Sequence, residues 1–547
     1  MYFLVNILSF FWVARTVRLV LFWTYLWQLK NYHIGRFIDH FRTYQGKKIL
    51  LNPLLIVKCF LLVILLANYY FFNFVFYTLL VIYAVEFFIF TLAIIKKQLK
   101  KPVFTPKILL LIFVSLLVTF VYLFLDYLLL ARSLESFYFY VFWFVALLLV
   151  FDIFTPLIVS LVVLIIQPFF VIARTYVLSK ARKKMSGFKN VTVIGITGSY
   201  GKTSTKEFLT TIVSSKFNVL VTPEHKNSEM GIAQTILNDL NDKHQVFIVE
   251  MGAYNKGGIQ LLCNMVKPNI GIVTGVNEQH LSTFGSLENL LSAEGGRELV
   301  RNLSKDGVII VNGDNKYCLD LYKKTDINKK VYTLKSDRID SDIWTEEISV
   351  KKDSVSFIAV SRQKEMDHFN IRMLGGHNIQ NILGAVLAAK ELGMNMQEIS
   401  EACKNIKPEQ VGIVLKEGVH GIQIIDSSYS SNPDGVVADL DYLSVFGAKK
   451  IIVMPCLIEL GSKSAQIHEQ LGKKMAQVCD MAIITTKDKF SEVSTGFINE
   501  GKPEHKIIFC DKPKDIFAMI TTMCKEGDAV LLEGRVPAEL IKLLKGK

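Results

Sequence analysis

Acidic residues are scarce in the first third of this 547-residue chain. Residues 1–190 contain only 5 Asp and Glu against 20 Lys and Arg, whereas the remainder contains 44 acidic and 42 basic residues. The net charge of +13 therefore belongs to one end of the chain, and that end is also rich in long apolar runs. Basic residues beside apolar runs are typical of contact with anionic membrane lipids, so we expect membrane lipids and no nucleic acid as partners.

Paired cysteines are lacking as well. The eight cysteines form no C-x-x-C motif, and none has a histidine at metal-ligating spacing. This pattern excludes a zinc site of the usual spacing and predicts reduced thiols in a cytosolic part, without a disulfide framework.

Four apolar runs are long enough to cross the ~30 Å hydrocarbon layer of a membrane as helices. They are Leu54–Phe71, Phe72–Ile95, Ile108–Leu130 and Phe137–Ala173. The last run is long for one span, and we expect Pro156 and Pro168 to break it. A further run, Met1–Gln28, contains Arg15 and Arg18, so it either lies along the interface or crosses the membrane. The number of membrane spans, four, five or six, remains open.

Loop charge predicts the orientation of these spans. Basic residues concentrate in Lys30–Asn52, Lys96–Lys107 and Arg174–Lys189, whereas the Ala131–Ser136 connection carries one Arg and one Glu. The positive-inside rule places the three basic segments in the cytoplasm. We therefore predict a multi-span domain over residues 1–188 in the cytoplasmic membrane, with all that follows facing the cytoplasm.

Three carboxylates fall within or near the spans, namely Glu86, Asp126 and Asp152. Acidic residues at such positions are candidates for a transport pathway. Because no transporter-like repeat or regular carboxylate spacing accompanies them, snorkelling or local pairing inside the helix bundle is the favoured interpretation.

A nucleotide phosphate site is predicted directly after residue 189. A β-branched run, a glycine-rich turn and a helical pattern follow one another at Val191–Ile196, Thr197–Ser204 (TGSYGKTS) and Thr205–Val213. In such a site the backbone N–H groups of the turn and of the helix N-terminus point at the anion. The predicted contacts are Gly198, Gly201, Lys202, Thr203 and Ser204. Lys202 would reach the terminal phosphates, and Thr203 would bind Mg²⁺.

This loop and the motifs after it resemble the Mur ligase family, in particular its branch that adds D-alanyl-D-alanine to a cell-wall peptide. The resemblance extends from about Val191 to the C-terminus. Its further motifs are TPEHKNSEMG at Thr222–Gly231, EMGAYNKGG at Glu250–Gly258, NEQHLSTFGSLE at Asn277–Glu288, NGDN at Asn312–Asn315, GHNIQN at Gly376–Asn381, DSSYSSNP at Asp426–Pro433 and ELGSKSAQIH at Glu459–His468. The resemblance implies an α/β fold with a central P-loop ATP-binding domain at 189–414 and a C-terminal Rossmann-like parallel-sheet domain at 415–547.

The resemblance also implies the chemistry and its residues. The family joins a carboxylate to an amine through an acyl phosphate made from ATP, with Mg²⁺. It implies catalytic roles for Lys202, Glu250, His280 and Glu294, and a metal-ligand set of Thr203, Glu250, His280 and Glu294. Beyond the phosphate loop, the implied nucleotide contacts are Asn227, Asn378, Asn381 and Asp426.

The chain departs from the family pattern at four places. Glu294 stands where members carry a lysine that CO₂ converts into a metal-binding carbamate, and Ile413 stands where an arginine is common. Glu533–Arg535 (EGR) replaces Lys-Gly-Ser-Arg. Predicted membrane spans occupy the place of the domain that holds the UDP-sugar end of the substrate.

The sequence therefore predicts a membrane-anchored, ATP-dependent ligase acting on a cell-envelope peptide precursor, either lipid-linked or UDP-linked, and on an amino acid or dipeptide. A poly-γ-glutamate-synthase-like ligase is one alternative, because such enzymes also couple a Mur-like ATPase to a membrane. A non-catalytic nucleotide-binding membrane scaffold is the other, since the arginine and the lysine are missing. An ATP-driven transporter is disfavoured, because no LSGGQ-like signature follows the phosphate loop.

Overall fold

The structure is a computed structural model that describes residues 1–50, 52–133, 137–224, 226–335, 340–428 and 432–546. Parts of the predicted Ala131–Ser136 connection and of the TPEHKNSEMG and DSSYSSNP motifs lie outside these residues. The chain divides into two compact units, Met1–Thr175 and Tyr176–Lys547. The domain boundaries predicted at residues 188/189 and 414/415 stay predictions.

The first unit is built from helices. They are α1 (Tyr2–Leu29), α2 (Ile34–His40), α3 (Tyr44–Leu50), α4 (Pro53–Ala67), α5 (Phe72–Ile95), α6 (Pro106–Ser133) and α7 (Phe137–Met185). Among the described residues, five helical stretches are long and apolar enough to cross a membrane, by length and composition: Tyr2–Leu29, Gly46–Ala67, Tyr69–Ile95, Pro106–Asp126 and Phe137–Met185. The first stretch, Tyr2–Leu29, contains Arg15 and Arg18. The sequence left open whether this stretch crosses the membrane or lies along its interface.

Four charged residues of these helices pair with one another. Arg15 of α1 is buried, and its guanidinium forms ion pairs with Glu86 at 2.7 Å and with Asp152. Lys58 is fully buried, and its Nζ lies 2.6 Å from Glu86 and 3.1 Å from Asp152. Two cations and two anions thus meet inside the bundle, which is the local pairing favoured above for Glu86 and Asp152. Asp126, in α6, is buried as well.

The expected break at Pro156 and Pro168 is wrong, because α7 continues through both prolines. Each proline removes a single backbone hydrogen bond from a helix of 49 residues. The loss of the N–H donor at two of 49 positions does not end the helix.

Two sheets form the frame of the second unit. The nine-stranded sheet has the order β2-β3-β1-β4-β5-β6-β7-β8-β9 and is parallel up to β7. Its strands are β1 (Thr192–Thr197), β2 (Val219–Val221), β3 (Val246–Glu250), β4 (Ile270–Val273), β5 (Val308–Asn312), β6 (Asn328–Tyr332), β7 (Ile343–Val350), β8 (Val355–Ser361) and β9 (Met366–Ile371). The order reverses at β1, and the crevice at such a point is where open α/β sheets bind ligands.

The second sheet has the order β10-β11-β15-β12-β13-β14 and is parallel except for its edge strand β10. Its strands are β10 (Val414–Glu417), β11 (Gln423–Ser427), β12 (Lys450–Met454), β13 (Met481–Ile484), β14 (Ile507–Phe509) and β15 (Ala529–Glu533). The parallel α/β layer predicted for the C-terminal part is therefore confirmed.

Helices connect these strands. They are α8 (Lys202–Val213), α9 (Glu229–Asn238), α10 (Gly258–Val266), α11 (Leu281–Phe284), α12 (Leu287–Ala293), α13 (Arg297–Arg301), α14 (Lys316–Lys323), α15 (Asn378–Glu391), α16 (Met396–Cys403), α17 (Pro433–Ser444), α18 (Ser464–Val478), α19 (Phe490–Asn499), α20 (Pro513–Met523) and α21 (Ala538–Leu544).

Both faces of the large sheet are buried. Along β3, Val246 and Ile248 belong to one apolar cluster, whereas Phe247 and Val249 belong to the other. Alternate side chains of a strand point to opposite faces, so a strand covered on both sides is a continuous apolar run. This is why the sequence VFIV, which lacks alternation, forms a central strand here.

Candidate nucleotide and metal site

The glycine-rich turn joins β1 to α8 at the point where the strand order reverses. Gly198 has φ 143° and Gly201 has φ 77°, which is backbone that favours glycine. A Cβ at Gly198 would lie 2.3 Å from Thr274 Oγ1, and one at Gly201 would lie 2.4 Å from Asn381 Oδ1. Only glycine permits this close approach of the turn to Thr274 and Asn381. A glycine turn that leads into a helix N-terminus is the kind of backbone that binds anions.

Lys202 is the first residue of α8, and its side chain folds back over the turn. Its Nζ donates to the carbonyl oxygens of Gly198 at 2.5 Å and of Ser199 at 3.3 Å. The ammonium therefore lies over the loop that is predicted to hold phosphates, and its contact with the terminal phosphates stays a prediction. Ser204, which follows Thr203 in α8, is also in the first turn of that helix.

Glu250 ends β3 and is buried beside the phosphate loop. Because β3 pairs with β1 with Ile196 opposite Glu250, its carboxylate is level with the start of the turn. Glu250 Oε1 accepts from Thr203 Oγ1 at 3.2 Å and from Asn227 Nδ2 at 2.9 Å. Three residues that are far apart in the chain and were named from motifs are therefore in direct contact.

A buried lysine that the sequence interpretation missed balances this carboxylate. Lys206 is fully buried, and its Nζ lies 3.4 Å from Glu250 Oε2. It also donates to the carbonyl of Thr222 at 3.2 Å. Little in the sequence indicates this role of Lys206, because a lysine one turn after a phosphate loop looks like an ordinary helix-surface residue.

A second pair of ligand-type side chains meets on the other side of the loop. His280 comes directly before α11 and Glu294 directly after α12, and His280 Nδ1 lies 2.8 Å from Glu294 Oε1. Ser199 Oγ of the phosphate loop donates to Glu294 Oε2 at 2.7 Å. The Ser199 contact was not predicted, although Ser199 lies inside the TGSYGKTS motif.

Glu294 is only 3% exposed, yet it is held in its ionised form. Burial alone would raise the pKa of its carboxyl group. The charge and hydrogen bond of His280, the charge of Lys202 and the hydrogen bond of Ser199 outweigh burial, so the pKa lies below its usual range. A buried carboxylate that stays charged is suited to bind a cation.

The four predicted metal ligands form two pairs and no single cluster. Thr203 contacts Glu250, and His280 contacts Glu294. Within the described parts of the chain, no group of three or more His, Cys, Asp or Glu side chains is arranged to hold one metal ion. A metal ion bound at either pair would therefore need ligands other than His, Cys, Asp and Glu side chains, such as hydroxyl, water or phosphate oxygens.

Two asparagines of α15 brace the phosphate loop from the side. Asn381 accepts from Thr205 Oγ1 at 3.4 Å, and its own amide donates to Asn378 Oδ1 at 3.0 Å. Both are buried. The structure therefore places these predicted nucleotide contacts against the start of α8.

Asp426, the remaining predicted nucleotide contact, lies on β11 of the second sheet. Its carboxylate accepts from Lys545 Nζ at 2.6 Å and from Ser428 Oγ at 2.5 Å. Burial would raise the pKa of Asp426, but these two bonds and the Lys545 charge hold the pKa below its usual value. The Lys545 contact thus ties Asp426 to the residues that follow α21.

The two α/β parts touch close to His280. Asn277 Nδ2 donates to Asn432 Oδ1 at 3.0 Å and to Asp434 Oδ2 at 2.8 Å. Burial is the largest cause that raises the pKa of Asp434. Asn277 and Asn432 belong to two of the motifs identified in the sequence, and Asp434 directly follows the second motif. Neither motif by itself indicates that the two are in contact.

Comparison with known proteins agrees with this arrangement. The Mur ligase middle domain matches residues 196–389, and the Mur ligase glutamate ligase domain matches residues 413–536. The UDP-N-acetylmuramoyl-tripeptide--D-alanyl-D-alanine ligase of Bacillus subtilis is 25% identical over 365 residues, which are 64% of this chain and 75% of that protein. The ligase of the same name from Escherichia coli is 26% identical over 320 residues, 58% of this chain and 68% of that protein.

Solved structures show the same fold. MurF from Acinetobacter baumannii superposes with a TM-score of 0.61 at 22% identity, over 68% of this chain and 81% of that one. The MurF ligase from Thermotoga maritima in complex with ADP gives a TM-score of 0.58 at 24% identity, over 68% and 83%. From the phosphate loop to the C-terminal sheet, this chain belongs to the Mur ligase family of ATP-dependent, amide-bond-forming ligases.

Proposed function

We propose that this protein is a membrane-anchored, Mg²⁺-dependent ligase that joins the carboxylate of a cell-envelope peptide precursor to an amino acid or dipeptide. The names of its relatives support D-alanyl-D-alanine as the dipeptide and a UDP-N-acetylmuramoyl-tripeptide type of peptide as the acceptor. One observation carries the catalytic part of the proposal. The buried Glu294 carboxylate links His280 to Ser199 of the phosphate loop, which keeps an anionic ligand charged next to the nucleotide site.

The residues present fit both ATP and Mg²⁺. A Cβ would fill the cradle at Gly198 and Gly201, so that backbone can approach phosphate oxygens closely. Hydroxyl and carboxylate oxygens suit Mg²⁺, which keeps few protein ligands and completes its shell with water and phosphate. Thr203 with Glu250 would therefore hold one Mg²⁺, and the Glu294 carboxylate, with His280 as a softer nitrogen ligand, would hold a second. When bound, Mg²⁺ neutralises phosphate charge and orients the reacting groups.

The reaction proceeds in two steps. A carboxylate oxygen of the acceptor attacks the γ-phosphorus of ATP, and ADP leaves with the electrons of the broken P–O bond. The amine nitrogen then attacks the carbonyl carbon of the acyl phosphate, phosphate leaves, and the amine loses a proton. The first step brings an anion towards a polyanion, so positive charge between them is needed. Lys202 is placed over the loop to supply it.

Asn227 and Lys206 orient the carboxylate of Glu250. Asn227 donates to Glu250 Oε1, and Lys206 lies beside Oε2, so both carboxylate oxygens have fixed directions. Residues that orient a ligand in this way are worth about 10–100-fold in metal affinity or activity. The carboxylate is therefore pre-positioned for a ligand next to Thr203.

The acceptor is proposed to reach the enzyme at the membrane, attached to a lipid. Helices of residues 1–175 precede the phosphate loop in the chain. In the family, the resemblance implies, the domain that comes before this loop binds the uridine and sugar of a soluble substrate. A lipid-linked acceptor is confined to the plane of those helices, which raises its effective concentration without new contacts. The basic segments Lys30–Asn52 and Lys96–Lys107 would face the same side as the ligase part by the positive-inside rule. They could hold an anionic linkage of the acceptor.

A phosphate-release screen on the full-length protein in lipid vesicles tests the ligase proposal. UDP-linked and lipid-linked acceptors are combined with D-alanyl-D-alanine and a panel of amino acids. We expect ATP-dependent phosphate release that requires both an acceptor and an amine. Binding of ATP with no stimulated release by any pair would identify a nucleotide-binding scaffold instead.

The same assay tests delivery at the membrane. If the acceptor is lipid-linked, kcat/KM for the lipid-linked form exceeds that for the UDP-linked form of the same peptide. High salt, which screens exposed charges, should reduce this advantage. Equal kcat/KM for both forms would show that the helices only tether the enzyme.

A further inference from the structure

His468 is a buried histidine that the chemistry described above does not use. It lies on α18 and is fully buried, at the end of the ELGSKSAQIH motif. Its Nε2 accepts from the backbone N–H of Leu457 at 2.9 Å, and its Nδ1 lies 2.6 Å from the carbonyl oxygen of Ser464. The histidine thus ties the loop after β12 to the first turn of α18.

These two contacts require one protonation state. A carbonyl oxygen can only accept, so Nδ1 must carry a proton, and a backbone N–H can only donate, so Nε2 must not. The neutral tautomer with the proton on Nδ1 satisfies both contacts. A doubly protonated ring would point an N–H at the N–H of Leu457 and lose that bond.

The loop that His468 holds reaches the helix that follows His280. The carbonyl oxygen of Glu459 accepts from the backbone N–H of Ser282 at 3.3 Å. Ser282 is in the first turn of α11, whose N–H groups have no acceptor within their own helix. Glu459 adopts φ 67°, a left-handed conformation that is uncommon outside glycine, and makes this contact from the neighbouring domain.

Side-chain packing supports the same contact. Gly461 faces Leu281 at the start of α11, and a Cβ added at Gly461 would lie 3.5 Å from Leu281 Cδ2. Leu457 and Leu460, on either side of Glu459, are buried in the apolar cluster that also contains residues of α18. The loop is therefore anchored at both ends, by His468 and by these two leucines.

We propose that His468 is a positioning residue for the ligase reaction, which fixes the Leu457–Gly461 loop so that Glu459 caps α11 and holds His280 towards Glu294. Through this path the C-terminal domain sets the geometry of the His280–Glu294 pair when the two domains are in contact. The inference rests on the proposed ligase function. Protection of the Ser282 amide can be measured without turnover. The positioning role of His468 and the proposed ligase function can therefore fail separately.

The environment of His468 favours the neutral ring. Burial lowers the pKa of His468, and the nearby Lys489 lowers it further, whereas the Ser464 carbonyl, Glu492 and Asp488 raise it. The net direction is downwards. The unfolded chain therefore binds a proton at a higher pH than the native protein, and stability is lost as pH falls below the ordinary histidine pKa of about 6.5.

Three variants of the full-length protein test the inference. His468→Leu keeps the volume but removes the acceptor, whereas His468→Gln offers its Oε1 to Leu457 and cannot titrate. His505→Gln, at an exposed histidine, is the matched control. The measurements are hydrogen exchange of the Leu281–Phe284 amides, and kcat and KM for ATP across pH.

We expect His468→Leu to lose protection of the Ser282 amide and to lower kcat about tenfold, with little change in KM for ATP. His468→Gln should retain both the protection of the Ser282 amide and kcat. A loss of kcat at acid pH that comes from protonation of His468 should be absent in this variant. His505→Gln should behave like the unmodified protein.

Either of two outcomes with His468→Leu would overturn the inference. One is a folded His468→Leu protein with unchanged Ser282 protection and unchanged kcat. The other is a fall in thermal stability alone, with the kcat of the folded protein intact, because that would make His468 merely structural. If His468→Leu does not fold, Ser282→Pro removes the capped N–H in the first turn of α11 itself. Wild-type kcat in Ser282→Pro would also overturn it.

Discussion

His280 Nδ1 and Glu294 Oε1 lie 2.8 Å apart, although the residues are 14 positions apart in the chain. The second Glu294 oxygen accepts from Ser199 in the phosphate loop. Glu294 therefore stands between the nucleotide loop and the histidine, with its carboxylate held in the charged state. It occupies the position at which related ligases are expected to carry a carbamylated lysine, and both groups end in a planar anionic O–C–O.

The first prediction concerns this substitution. Glu294→Ala removes the anionic ligand and should lower turnover about 10–100-fold. Activity of the unmodified protein should not depend on dissolved CO₂, whereas Glu294→Lys should regain activity only when bicarbonate is added. Glu288→Ala, at an exposed position of α12, is the control. Full activity in Glu294→Ala would show that the carboxylate has no role.

The second prediction concerns the other ligand pair. Thr203→Val keeps the shape of the side chain but removes the hydroxyl that contacts Glu250. We expect a fall in kcat of about 10–100-fold and a higher Mg²⁺ concentration for half-maximal rate. Thr210→Val is the matched control, because its hydroxyl only bonds the Lys206 carbonyl of the same helix. Equal Mg²⁺ dependence in both variants would exclude Thr203 as a ligand.

The third prediction concerns the charges inside the helix bundle. Arg15→Met leaves Glu86 and Asp152 with only Lys58, and breaking a buried ion pair costs about 3–5 kcal/mol. We expect a clearly lower midpoint of thermal unfolding in detergent. Combining Arg15→Met with Asp152→Asn removes one charge of each sign and should restore much of the loss.

The control for that experiment is a surface ion pair. Arg42 is 78% exposed in its side chain and pairs with Asp39 at 3.0 Å. An exposed pair contributes about 0–1 kcal/mol, so Arg42→Met should leave the midpoint almost unchanged. Equal midpoints for Arg15→Met and Arg42→Met would contradict a stabilising role for the buried cluster.

The fourth prediction concerns topology. Five crossings that end with the ligase part in the cytoplasm place residue 1 and the α4–α5 connection outside, and the Lys96–Lys107 segment inside. In a background without Cys59, an impermeant thiol reagent added to intact cells should label Tyr70→Cys but not Gln98→Cys. Tyr70 is 91% exposed, and Gln98 is exposed as well. Reversed labelling, or labelling of the exposed ligase surface, would contradict this orientation.

Local sequence patterns were sufficient to predict many of the helices and the phosphate loop. Apolar runs predicted the helices of the first unit, because a span needs about 20 consecutive apolar residues and no distant partner. The strand, glycine turn and helix around Lys202 could be predicted for the same reason, since the geometry of the turn depends on residues within it. The predictions failed at Pro156 and Pro168, where a local rule for proline was outweighed by the continuity of a long apolar helix.

Contacts between distant segments were decided by the tertiary structure alone. The pairing of Arg15 and Lys58 with Glu86 and Asp152 turns four apparent interruptions of apolar runs into one cluster without net charge, and the charge pattern contained no pairing information. The bond from Ser199 to Glu294 and the contact of Glu459 with Ser282 likewise join residues whose own segments give no reason for them. The sequence by itself determined which helices, strands and phosphate loop form, because those depend on neighbours within a few residues. Which charged and ligand-type side chains meet depends on strand order and helix packing, and only the assembled fold sets these.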